Sequence, residues 1–229
     1  MDIIDSFEQN KTPPSHYEFT IYENYSNSKN SKQVKEEAFL AMEQLEGWCT
    51  PFKASILIDL IFKVKAQTIV EIGVWGGKSL IPMAYALKAL GQGTAIGIDP
   101  WSNIESAKGM TGAHEEWWVS IDHAMIYQGL VQKISQFQLE NNILLLKCTS
   151  KAAPTIKNID VLHIDGNHSD ATSFFDVKKW VPLVKTGGFI IFDDMTWGTT
   201  TRAVQWLDAH CIKLAEYHED NVWGIWIKS

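Results

Sequence analysis

The sequence predicts a doubly wound α/β domain whose mostly parallel seven-stranded sheet ends in an antiparallel last strand, with helices added at the N-terminus. Two observations carry this. From residue 68 onward, short apolar runs rich in Ile, Val and Leu alternate with helical stretches, and strands this apolar belong to a sheet covered on both faces. Near the end, 212–217 and 222–227 follow each other with no helix between them, which predicts a closing hairpin.

The elements follow in order. Residues 1–33 are polar, with Pro13-Pro14 and an Asn/Ser-rich stretch over 24–31, and read as an N-terminal arm before a domain at 34–229. Val34, Ala38, Ala41, Met42 and Leu45 recur at helical spacing, and Pro51 opens a second helix through about residue 62. Strands are expected at 68–72, 94–99, 143–147, 161–165 and 189–192. Helices are expected at 79–90, 124–139, 150–156, 170–184 and 201–210, with Gly187-Gly188 ending the fourth of these. Residues 101–123 show no clear period and hold Trp117-Trp118. Such a long connection at the strand ends reads either as a lid-like insert over a substrate or as a loop packed by its own tryptophans.

Composition narrows the function. The chain has 229 residues, a formal charge of −7 and no Lys/Arg cluster, so a nucleic-acid partner is not expected. No apolar run approaches ~20 residues, so no membrane partner is expected, and the N-terminus shows no leader pattern. Cys49, Cys148 and Cys211 are odd in number and widely spaced, which suits reduced thiols and a cytoplasmic location. The arm's Tyr17, Phe19, Tyr22 and Tyr25 predict docking against a second copy, hence a homo-oligomer.

The chemistry lies at strand ends. Val70 to Ser79 runs from a strand through a glycine turn into a helix, whose free N–H groups suit a ligand. The pattern is not GxGxxG, because Trp75 stands where glycine is needed, nor a P-loop, because Ile72 does. It is ExGxxxGxS, with Glu71, Gly73, Gly77 and Ser79 as the fixed positions, and Asp99 ends the next strand. A carboxylate there suits a ribose diol. Asp165 follows the fourth strand, and Asp193-Asp194 follow the fifth. Neighbouring parallel strands bring these three acids together, where a hard divalent cation would relieve their repulsion.

The chain resembles the class I S-adenosylmethionine-dependent methyltransferases, a Rossmann-like fold. Over roughly 66–229 it resembles the metal-dependent O-methyltransferases of the cephalosporin-hydroxylase-like and macrolide-sugar O-methyltransferase branch. The resemblance implies S-adenosylmethionine over Gly73–Gly77, with Glu71, Ser79, Asp99, Ser150 and Asp165 around it and adenine near Cys148-Thr149-Ser150. It implies Mg²⁺, Mn²⁺ or Ca²⁺ on Asp165, Asp193 and Asp194, and a small-molecule hydroxyl as acceptor. In some members a histidine three residues past the first ligand is the base, which matches His168; its alternative is a turn residue before Asp170. Others use an aspartate two residues past it, where this chain has Asn167. Catechol-type relatives usually carry a lysine near the first ligand and an Asp-Asn pair, so His168 and Asp193-Asp194 count against a catechol or caffeoyl acceptor.

His163 lies inside a strand and reads as a satisfied buried histidine. Two rivals remain. His163-Ile164-Asp165 is an HxD that, with His210, could hold a non-haem iron for an oxygenase, although such enzymes are usually all-β. A non-catalytic cofactor-binding module is the other.

Overall fold

The computed structural model describes residues 30–219 and 221–229. The N-terminal arm before residue 30, with the aromatic residues that suggested a homo-oligomer, lies outside the described residues.

One seven-stranded sheet runs through the domain in the order β3-β2-β1-β4-β5-β7-β6. The strands are β1 (Thr68–Ile72), β2 (Thr94–Asp99), β3 (Ile143–Lys147), β4 (Ile159–Ile164), β5 (Val184–Phe192), β6 (Ile212–His218) and β7 (Val222–Ile227). β1 to β5 pair in parallel, and β7 runs antiparallel between β5 and β6. The order reverses at β1, with β2 on one side and β4 on the other. Open sheets of this kind bind ligands at that reversal, beyond the strand C-termini.

The strands alternate their apolar residues between two cores. Ile69, Val161, Phe189 and Ile225 face one. Val70, Leu162, Ile190 and Trp226 face the other. The first core is filled by α1 (Ser31–Met42), α2 (Pro51–Val64), α3 (Leu80–Leu90) and α6 (His123–Gln136). The second is filled by α7 (Asp170–Trp180) and α8 (Thr201–His210). The two remaining helices, α4 (Asn103–Ala107) and α5 (Ala113–Ser120), lie in the insert at 101–123. No helix among the described residues is long and apolar enough to cross a membrane.

Local chemistry sets the boundaries. α1 begins at Ser31, inside the stretch assigned to the arm. Asn30 caps it, and Gln33 returns the bond to the Asn30 N–H in a capping box. Thr50 caps α2 and Pro51 occupies its first position.

Two expectations fail. The helix expected over 150–156 is a turn. Lys179 Nζ takes the carbonyls of Ser150, Lys151 and Ala153, and Pro154 has no N–H with which to continue a helix. The helix expected over 170–184 stops at Trp180 and passes through a 3₁₀ turn at Val181–Leu183 that contains Pro182. Gly187 and Gly188 therefore sit within β5, beside a register shift between Ile159 and Val161 of its β4 partner.

Candidate active site

The glycine turn after β1 is built against the loop after β4. Gly73 has φ +83°, and a Cβ there would lie 1.9 Å from the Asp165 carbonyl oxygen. Only glycine allows that approach. Gly77 has φ +82°, and a side chain there would meet Leu130 Cδ1 at 2.5 Å. On its Cβ side, Gly77 is packed by Leu130 of α6.

Asp99 holds the same turn from below. Its Oδ2 accepts from the Val74 and Trp75 N–H groups, each at 3.0 Å, and its Oδ1 from the Trp101 N–H at 2.7 Å. Desolvation raises its pKa, although these backbone bonds oppose the shift. Ser79 donates its hydroxyl to Glu71 Oε1, and both residues are buried. Ser150, expected near adenine, donates to Asp176 Oδ1. Four side chains expected to meet the cofactor, Glu71, Ser79, Asp99 and Ser150, therefore carry internal bonds.

The two acids after β5 part company. Asp193 is 1% exposed. Its Oδ2 accepts from Lys53 Nζ and from His163 Nε2. His163 Nδ1 lies 2.7 Å from Glu71 Oε1. A buried chain Ser79–Glu71–His163–Asp193–Lys53 thus joins α2, β1, β4 and the end of β5. Desolvation by itself would lower the His163 pKa. The Lys53 charge also lowers it, but the Asp193 charge and the bonds to Asp193 and Glu71 override both and raise the group to about 9, in keeping with a carboxylate oxygen beside each ring nitrogen. Burial likewise works against ionised Asp193, but Lys53 and His163 hold its carboxyl well below the usual range.

Half of the Asp193 carboxylate is committed to Lys53 and His163, while Oδ1 is buried without a hydrogen-bond partner. Lys53 was missed altogether. Its signal is a lone cation in the apolar run Pro51-Phe52-Lys53-Ala54-Ser55-Ile56-Leu57-Ile58, because buried lysines require an anion. His163 is the satisfied buried histidine expected. Both of its ring nitrogens face carboxylates, which does not favour the HxD iron site, and His210 instead stacks on Trp206.

Asp194 turns the other way. It has φ +54°, a left-handed conformation that aspartate tolerates better than most residues. Its Oδ2 lies 2.8 Å from His168 Nε2, and Asp165 Oδ1 lies 3.9 Å from the same nitrogen. The 2.8 Å contact is close enough for an ion pair but is not aligned as a hydrogen bond. Desolvation pulls the His168 pKa down, and the two carboxylates push it up to about 10. Desolvation, and then the Asp193 charge, raise Asp165. Ligand atoms of Asp165, His168 and Asp194 lie within 4.8 Å of one another, as do those of His163, Asp165 and Asp193. Asp165 is common to both groups.

Aromatic rings gather on the glycine turn and on His168. Trp75, at φ +52° in the glycine turn, stacks on Trp117 of α5 at 6.0 Å and meets Trp118 edge-on at 5.4 Å. Trp197 lies 4.8 Å from His168 and 5.2 Å from His114.

Comparison with known proteins agrees with this architecture. A family model described as a methyltransferase domain matches residues 70–195, over half of the chain. Tapetum-specific methyltransferase 1 of Arabidopsis thaliana is 25% identical over 167 residues, covering 72% of this chain and 63% of the relative. Caffeoyl-CoA O-methyltransferase of Populus kitakamiensis is 27% identical over 169 residues, with the same coverages of 72% and 63%. The chain thus spans less than two thirds of the length of these curated relatives. An O-methyltransferase from Bacillus cereus, solved in complex with SAH, shares the fold with a TM-score of 0.61 at 15% identity, over 86% of this chain and 91% of that one. The matched family segment contains the strand-end residues from Glu71 through Asp165 and His168 to Asp194, and by that match the chain belongs to the methyltransferase-domain family.

Proposed function

We propose that the protein is an S-adenosylmethionine-dependent O-methyltransferase that methylates a hydroxyl of a small molecule with the help of a divalent cation. The observation that carries this reading is the backbone contact between Gly73 and Asp165. It sets the turn suited to the methyl donor directly against the acidic loop suited to the acceptor.

The donor sets fit both the methyl donor and a divalent cation. Glu71 Oε2 and Asp193 Oδ1 are buried carboxylate oxygens without hydrogen-bond partners, so each side retains unspent acceptor capacity for a cationic ligand. Asp165 and Asp194, with Asp193 through its free Oδ1, would hold the cation. Oxygen donors of this kind suit Mg²⁺, Mn²⁺ or Ca²⁺ over zinc. When bound, such a cation lowers the pKa of a coordinated hydroxyl and neutralises crowded carboxylates. S-adenosylmethionine supplies the methyl group from its sulfonium.

The chain's own residues do the rest. The Gly73–Gly77 turn and the Asp99 clamp hold the donor's place. The Lys53–Asp193–His163–Glu71 chain keeps the strand ends in register. His168 holds the acceptor's proton at Nε2 once its paired carboxylates are otherwise engaged. The caffeoyl name of one relative conflicts with the sequence reading of the acceptor, and at 27% identity the acceptor class here rests on His168 and Asp194 instead.

Calorimetric titration with S-adenosylhomocysteine, with and without Mg²⁺, tests the reading. Transfer of labelled methyl to catechol, 4-hydroxybenzoate and glucose follows. Saturable binding together with Mg²⁺-dependent transfer supports the proposal, and no binding of S-adenosylhomocysteine overturns it.

A further inference from the structure

The loop after β4 carries a third polar residue, Asn167, between Asp165 and His168. Its Oδ1 accepts from the Ser169 N–H at 2.9 Å. A backbone N–H can only donate, so this bond fixes which end of the amide is oxygen. Nδ2 therefore faces the insert at 101–123. It donates toward the carbonyls of Glu105 at 3.2 Å, Ser106 at 3.0 Å and Lys108 at 2.9 Å. These carbonyls lie at the end of the five-residue helix α4, where helical bonding runs out; that of Glu105 also takes the Lys108 N–H at 3.4 Å.

Apart from this amide, the insert is held at its two ends by ring contacts, Trp101 on Tyr127 and Trp117 and Trp118 on Trp75, with Trp48 against Trp117. α5 buries no residue, and Ile104 of α4 is 81% exposed. Within the insert, Asn103 Nδ2 gathers the carbonyls of Trp118, Val119 and Ile121 at the end of α5. Contacts with the strand-end loops flank His168. The Gly109 backbone lies against Ser169, where a Cβ would come within 2.8 Å of the serine side chain. The His114 ring reaches Trp197, which in turn packs on His168.

We propose that Asn167 is a positioning residue for the acceptor. Its amide latches the insert onto the loop that carries Asp165 and His168, and so fixes the roof under which the hydroxyl compound lies. The role of the roof rests on the methyltransferase reading; the latch does not. Charge decides the residue type. An aspartate at 167 would keep the bond from Ser169 but turn a bare oxygen toward three carbonyl oxygens.

Asn167→Ala and Asn167→Asp test this in the full chain. Alanine removes the clamp without adding charge beside Asp165, and aspartate keeps the shape but loses the donor. Hydrogen exchange followed by mass spectrometry should show amides over 103–120 exchanging ~10-fold faster in both variants, as expected for the loss of one or two hydrogen bonds. Amides of β1 and β4 should be unchanged. With whichever of catechol, 4-hydroxybenzoate or glucose the wild type methylates fastest, the acceptor KM should rise ~10-fold in Asn167→Ala. The KM for S-adenosylmethionine should stay within about twofold, since the donor's turn is untouched. Insert exchange equal to wild type overturns the latch, and so does acceleration shared equally by the sheet. A fall in kcat at constant acceptor KM overturns the positioning role. A wild-type protein that binds no S-adenosylhomocysteine defeats the methyltransferase reading instead, and the exchange result still decides the latch.

Discussion

Asp193 and Asp194 are consecutive residues at one strand end, yet they occupy opposite environments. Asp193 points into the domain and is held by two cations of the protein itself, Lys53 and His163. Asp194, turned by its positive φ, meets His168 through Oδ2 at 2.8 Å, and its Oδ1 accepts a long bond from Asn221 Nδ2 at 3.5 Å. The contrast separates support from chemistry. Asp193 spends one oxygen as a strut and keeps the other unbonded, while Asp194 sits beside His168 and Asn221 with no lysine or arginine on it among the described residues. Asp176 supplies a third case, burial without a bonded cation among the described residues, where the Ser150 hydroxyl donates to Oδ1.

The largest expected effect breaks the strut. Lys53→Met should leave Asp193 buried with His163 alone. Removing one partner of a buried ion pair typically costs ~3–5 kcal/mol, and a urea unfolding curve reads it directly. Lys53→Met combined with Asp193→Asn should recover part of that loss, because no unpaired charge then remains. A single-variant loss below about 1 kcal/mol would mean that Asp193 does not depend on Lys53.

The open side should respond in function more than in stability. Asp194→Ala should weaken Mn²⁺ binding and methyl transfer together. Its stability cost should be ~1–2 kcal/mol, that of an alanine at positive φ. His168→Ala should leave Mn²⁺ and S-adenosylhomocysteine affinities nearly intact while lowering kcat by ~10²–10⁴-fold. Stripping the divalent cation with a chelator should abolish transfer without unfolding the chain. Full-rate transfer by chelated protein would make the acids purely structural and erase the contrast between the two aspartates.

Much of the fold was legible in the sequence because the strands are apolar and short, and glycine marks their ends. Glu71 to Ser79, Asp99, Asp165 and Asp193-Asp194 could each be assigned to a strand end. What escaped depends on contacts between residues far apart in the chain. Lys53 precedes its partner Asp193 by 140 residues, and no local period announces such a pair. The clamp by Lys179 on the 150–153 carbonyls is a tertiary contact that defeats a helical reading of a short segment. Asn167 could be dismissed as a base from its chemistry, but its latch needs the insert to fold back upon it. The direction of Asp194 turns on a single backbone angle that composition does not encode.

The smallest expected effect sharpens the contrast through pH. Desolvation raises the Asp176 carboxyl to about 7, opposed only by the Ser150 hydrogen bond and the more distant Lys179 charge. Its folded pKa therefore exceeds the unfolded value of about 3.9. The native state binds the proton more tightly, so the stability linked to this group is complete below about pH 3.9 and is lost as pH rises through about 7. Asp176→Asn removes that titration and keeps an oxygen to accept from Ser150. Thermal melts should then show the variant a few degrees above wild type at pH 8, with the two nearly equal at pH 4. Asp193 titrates with the opposite sign. Its depressed pKa gives stability that is present above the unfolded value and lost only as pH falls toward strong acid. A melting difference of equal size at pH 4 and pH 8 would show that Asp176 stays ionised throughout, and that burial without a bonded cation does not set its charge.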